Sequence, residues 1–172
     1  MSIRNLRKRG LMSNIRNQLK NLNVSKLRMK NGNTVESELR KHCRILADCI
    51  TEELDAVYSS YSPKVYQRSY DLYNSVSIDD VVKIQFGAKG TTLSMSVYFD
   101  DGAIHEGIMG DSANVAVLFN EGWKTNGSFA DIPYFGFREG TNFISKGIEK
   151  YKSRVNKPFN IRVNINGQTT NM

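Results

Sequence analysis

The sequence predicts an α+β fold: a long N-terminal helix and a C-terminal helix packed on a small antiparallel β-sheet, with long Gly-rich loops. Three observations predict it. Apolar residues recur every three or four positions from Val35 to Tyr61 and again from Phe143 to Tyr151, the helical period. Between these stretches, apolar and polar residues alternate over Val82–Phe86 and Leu93–Phe99, the strand period. Residues 100–140 then hold seven of the 13 glycines, a composition of loops.

The elements follow in order. Residues 1–30 carry nine basic side chains and no acidic one, the first acid being Glu36. The remaining 142 residues carry 15 basic and 17 acidic side chains, so a near-neutral body bears a strongly basic arm. Such asymmetry points to an anionic partner for the arm: nucleic acid, a membrane surface or an acidic protein face. Leu11, Ile15, Leu19 and Leu22 fall on one stripe of a helix over about 11–22, with cations on the other face. A mitochondrial transit peptide or a membrane-surface helix shares this pattern, but a cleavage-like motif and interfacial Trp or Phe are missing. The expected organisation is a basic amphipathic arm over 1–32 and a single α+β domain over 33–172.

Asn33 can cap the long helix, with Glu36 as its reciprocal partner. Val35, Leu39, Cys43, Leu46, Ile50, Leu54, Val57 and Tyr61 then form the stripe of a helix of about 27 residues, roughly 40 Å long. Pro63 ends it, because proline disfavours helical geometry in the residue before itself. Val65, Leu72 and Val76 suggest a short helix or turn beside it. Val82, Ile84 and Phe86 face one side of the first strand; Leu93, Met95, Val97 and Phe99 face one side of the second. Gly87-Ala88-Lys89-Gly90 joins them as a hairpin. Two long loops, at about 100–113 and 124–138, surround the apolar segment Val115–Phe119, and loops of this length are normally functional or ordered by a partner. A helix over about Thr141–Val155 turns Phe143, Ile144, Ile148 and Tyr151 inward. The strand Phe159–Ile165 is expected to rejoin the same sheet.

A chain of 172 residues with 40% apolar content can bury a core as one domain. No apolar run approaches the ~20 residues of a membrane span, and the start does not read as a secretory signal. Cys43 and Cys49, on different sides of the long helix, read as packed, reduced thiols of a cytosolic product. His42 and His105 are the two histidines; His42 reads as structural or solvent-facing. No CxxC, HxH or HxxxH spacing offers a zinc site. Asp100-Asp101-Gly102 lacks the alternating ligands of a calcium loop and reads as a tight turn. Gly110-Asp111-Ser112 has no matching histidine block, and Gly87–Thr92 has phosphate-loop residues in the wrong order. No catalytic residue, cofactor or metal ligand is assigned, and an enzyme is not expected.

The order of blocks carries a resemblance. Arg68-Ser69-Tyr70-Asp71-Leu72-Tyr73-Asn74-Ser75-Val76 follows the long helix and precedes the hairpin. Leu118-Phe119-Asn120-Glu121-Gly122-Trp123 and Pro133-Tyr134-Phe135-Gly136-Phe137 come next, before the last helix and strand. Over residues 35–165 this resembles the tail-completion (neck, or head-to-tail joining) proteins of tailed bacteriophages. In that family an Arg-Thr-Gly-x-Leu-x-x-Ser-Ile stretch precedes the strands, and an aromatic-Glu-Gly segment and a Pro-Phe block lead into a C-terminal helix. Arg68, Leu72, Ser75 and Val76 fall on the first motif, with Ser69 and Tyr70 in place of its Thr-Gly; Glu121 and Gly122 fall on the second.

The resemblance implies a structural virion protein: a closed, sixfold homo-oligomeric ring at the head–tail interface, joining connector to tail around the DNA channel. Its implied partners are copies of itself, portal-side and tail proteins, and DNA contacted without sequence preference, with no membrane. It would reside in the virion, and in the host cytoplasm during assembly. Leu11, Ile15, Leu19, Leu22 and Trp123 are the expected partner-docking residues. Arg4, Arg7, Lys8, Arg9 and Arg16 are expected to face an acidic surface or DNA. The alternative is a nucleic-acid-binding protein acting through the basic arm.

Overall fold

The computed structural model describes residues 26–60, 71–87, 90–100, 104–106, 112–124, 137–165 and 168–172. The chain is an α+β protein that divides into two compact units, Met1–Leu39 and Arg40–Met172.

In the first unit a tight turn leads into α1 (Val35–Ser59). Arg28 and Thr34 form a bridge, Met29 N–H donates to Asn33 O (2.8 Å), and Val35 N–H to Leu27 O (2.9 Å). Gly32 sits at the tip with φ 86°, a left-handed conformation that a Cβ would disfavour. The capping residue is Thr34 rather than Asn33: Thr34 Oγ1 accepts from Ser37 N–H at 3.1 Å. Asn33 instead donates its side-chain amide to Glu38 Oε1, which also accepts from Asn31 Nδ2 at 3.1 Å.

In the second unit, Ile50, Leu54 and Tyr58 of α1 build the core with Leu72 of α2 (Asp71–Asn74), Ala116 and Phe119 of α3 (Val115–Glu121) and Phe143 of α4 (Phe143–Arg154). Each fully buried apolar side chain of this kind contributes on the order of 1.5–3 kcal/mol. Leu54 and Phe143 are completely enclosed.

The strands do not form one sheet. They form five separate two-stranded antiparallel ladders among the described residues. The expected hairpin is present as β2 (Lys83–Gly87) on β3 (Gly90–Ser94), with Ile84 opposite Leu93. The second expected strand is broken after Ser94. Its continuation, β4 (Val97–Phe99), pairs with β1 (Val76–Ile78). The cause is local: Ser96 N–H donates to Asp79 Oδ2 (3.0 Å) and Asp79 N–H to Ser96 O (2.9 Å), so the chain changes partner at Ser96.

The last strand, β9 (Arg162–Ile165), does not rejoin the earlier strands; it pairs with β10 (Gln168–Asn171). Both expected long loops are closed at their bases by ladders. β5 (Ile104–Glu106) pairs with β6 (Ser112–Asn114), and β7 (Gly122–Lys124) with β8 (Phe137–Glu139). The intervening 107–111 and 125–136 lie outside the described residues. The segment Val115–Phe119, read as merely apolar, is the start of α3, and it connects β6 to β7 without a linker.

Candidate assembly site

Two of the three blocks that carry the sequence resemblance meet at the core; in the third, residues 133–136 lie outside the described residues. In the first, Leu72 is buried, and Ser75, also buried, donates its hydroxyl to Leu72 O at 2.8 Å. Asp100 N–H donates to Ser75 O (2.8 Å), which ties this turn to the end of β4. Val76 and Phe99 face each other across β1 and β4, and both pack against the core. Arg68, Ser69 and Tyr70 lie outside the described residues.

In the second block, Phe119 is buried with its ring 5.6 Å from that of Tyr58. Gly122 ends α3 at φ 86°, its N–H donating to Leu118 O. Asn120 is the residue that sequence reasoning missed. It is buried, and its Oδ1 accepts from Ile144 N–H at 3.1 Å while its carbonyl accepts from Asn142 N–H at 3.0 Å. Asn142, the residue at the cap position of α4, is left-handed (φ 52°) and makes no side-chain capping bond. Asn120 therefore caps α4 from another helix, satisfying an amide that would otherwise be orphaned. Thr141 adds two bonds to Phe119 O, from its N–H (3.1 Å) and its hydroxyl (2.8 Å). Asn120→Ala should cost about 1–2 kcal/mol in urea unfolding. The Ile144 amide should exchange faster in that variant while amides near the end of α4 do not.

Two further side-chain clusters tie α4 to α1. Glu52 pairs with Arg154 through bonds of 2.8 and 2.6 Å, and Lys150 bridges Glu52 and Glu53 at 2.9 Å each. Bonds from Arg154 and then Lys150 hold the Glu52 carboxyl down at about 2. Nearer the other end, Tyr151 Oη lies 2.7 Å from His42 Nδ1 and accepts from Phe159 N–H at 3.2 Å. A neutral His42 protonated on Nε2 satisfies this arrangement, with Nδ1 accepting the phenol proton. Phe159 packs edge-on against the imidazole at 4.5 Å. His42 is thus a structural link.

Cys43 and Cys49 are both buried free thiols, and burial, then the nearby Asp79 charge, pushes Cys43 up to about 11. A thiol in that state is a packing group, not a nucleophile. Among the described residues, no group of three or more His, Cys, Asp and Glu side chains could hold a metal ion, and no helix is long and apolar enough to cross a membrane.

The docking residues expected from the sequence are placed unevenly. Trp123 lies in β7 with its backbone opposite Arg138, and its side chain is outside the described residues. Leu11, Ile15, Leu19 and Leu22, and the cations Arg4, Arg7, Lys8, Arg9 and Arg16, also lie outside them. No protein family, curated protein or solved structure matches the chain.

Proposed function

We propose that this chain is a structural virion protein of a tailed bacteriophage, forming a homo-oligomeric ring at the neck that joins connector to tail around the DNA channel. One observation carries the reading. Two of the three blocks that resemble tail-completion proteins, far apart in sequence, converge through Leu72, Val76 and Phe119 on a single cluster. In that frame the shared pattern is architectural, which suits a protein whose work is assembly rather than catalysis. The ladders β5–β6 and β7–β8 add support: they flank the partly buried α3, and short ladders on a packed element are suited to contacts between neighbouring subunits.

The basic arm then docks on an adjacent ring component. Burying Leu11, Ile15, Leu19 and Leu22 contributes on the order of 1.5–3 kcal/mol each, which a phosphate backbone could not supply. Native mass measurement and negative-stain images of the purified chain should show closed rings. Ile15→Ser with Leu19→Ser should abolish incorporation into particles, whereas Arg7→Glu with Arg9→Glu should only weaken it. A monomer or dimer that binds DNA in a salt-sensitive way, with lethal charge reversals and harmless serine replacements, would favour the alternative of a nucleic-acid-binding protein.

A further inference from the structure

We propose that the hairpin Lys26–Asn33 is a docking site for the phosphate backbone of a nucleic-acid duplex, contacted by Lys26, Arg28 and Lys30. The site is distinct from the apolar stripe of the arm, and it depends on the neck reading only for the source of the duplex.

Its cations are presented on a braced element. The turn is closed by the Arg28–Thr34 bridge, by Gly32 N–H donating to Met29 O (2.9 Å), and by Asn33 N–H donating to Asn31 Oδ1 (3.1 Å). Arg28 itself donates to Gly32 O at 2.8 Å. That bond uses one of five guanidinium N–H donors and orients the rest. Held in this way, three cations within five residues lose less backbone freedom on binding than they would on a flexible tail, and Arg28 loses less side-chain freedom as well.

The cations also face solvent. Lys26, Arg28 and Lys30 are all exposed, and none forms an ion pair among the described residues. Glu38 Oε1 accepts from the side-chain amides of Asn31 and Asn33, which braces the turn from the start of α1.

The occupant follows from what surrounds these charges. Asn31, Gly32 and Asn33 at the tip are exposed and polar; of the hairpin's two large apolar side chains, Leu27 is half-buried and Met29 is 38% exposed. A protein partner would need a central apolar or aromatic anchor to bind tightly. A phosphate backbone needs only cations and N–H donors at fixed positions.

The test is binding of the full chain to a short random-sequence duplex, followed by anisotropy across a potassium chloride series. Lys26→Gln with Lys30→Gln removes two charges without touching any bond of the turn. It should lower the slope of log K against log salt by about 1.8, at ~0.9 per phosphate contact. Lys41→Gln with Lys152→Gln, two exposed cations elsewhere, should leave the slope unchanged. An unchanged slope in the hairpin variant, or an equal loss in both variants, would overturn the proposal. So would equal affinity for poly-glutamate of matched charge, which would assign the hairpin to an acidic protein surface. Native mass on the same samples separates the two readings: a slope effect without rings would retain this site and remove the neck assignment.

Discussion

Phe143→Ala is expected to destabilise the protein by about 3–5 kcal/mol, a large share of the ~5–15 kcal/mol that holds an ordinary domain together. The side chain is completely enclosed and opens α4, directly after the residues that Asn120 and Phe119 tie down. Its ring meets Phe99 nearly perpendicular at 5.7 Å, so truncation removes an aromatic pair as well as buried area. Three elements lose a neighbour at once, because Phe143 joins α1, α3 and the β4 side of the same cluster. Collapse of the walls should therefore be poor, and the cost should sit in the upper part of the range. Urea unfolding should show a lower midpoint with an unchanged slope. For a chain of this size the melting temperature should fall by roughly 10 °C or more. Phe143→Leu, which refills most of the volume, should lose less than half as much. A loss under 1 kcal/mol for the alanine variant would mean that α4 does not enter the core through this residue.

The inward faces of α1 and α4 were legible in the sequence, and the wiring of the cluster they enter was not. The 3.6-residue period placed Ile50 and Leu54 on one face of α1, and Phe143, Ile148 and Tyr151 on one face of α4; all five are buried. Long periodic segments average over many positions, so a tertiary exception cannot hide them. The three-residue strands on either side of α3 span barely one alternation, too little for a period to register. Glycines and aspartates around them mask even that signal. The break at Ser96 is invisible for another reason: Leu93, Met95, Val97 and Phe99 keep perfect alternation while the hydrogen-bonding partner changes from β2 to β1. What decides the switch is the Asp79 side chain, 17 residues away in sequence.

The partner of β9 could have been found. Asn166-Gly167 between Ile165 and Gln168 is a hairpin signal of the strongest kind, and the ladder runs outward from that Ile165–Gln168 pair. The capping error was subtler. Asn33 and Thr34 are both good caps, and the turn at Gly32 uses the Asn33 amide to hold Glu38, leaving Thr34 to cap. Asn120 had no local signature at all, since a cap supplied from another helix is defined by tertiary position alone.

Gly147→Ala should reverse the usual sign of a glycine replacement in a helix. At an open helical position alanine is favoured over glycine by about 1 kcal/mol. At Gly147 the added methyl would stand 2.8 Å from Ile50 Cγ1, 2.9 Å from Ile50 Cα and 3.1 Å from Ile50 N. Two of those three atoms are backbone of α1, so a rotamer change at Ile50 cannot clear the space. The helices must separate, and the ion pairs of Glu52 and Glu53 with Lys150 and Arg154 must stretch with them. Overpacking of this kind costs about 1–3 kcal/mol, which outweighs the propensity gain. The double variant Gly147→Ala with Ile50→Ala removes the Cγ1 clash and keeps the Cα clash, so it should recover only part of the Gly147→Ala loss measured against Ile50→Ala alone. Full recovery would place the contact on the Ile50 side chain only. A stabilising Gly147→Ala would mean that α1 and α4 do not cross at this point, and the core would then need a different arrangement of its two longest helices.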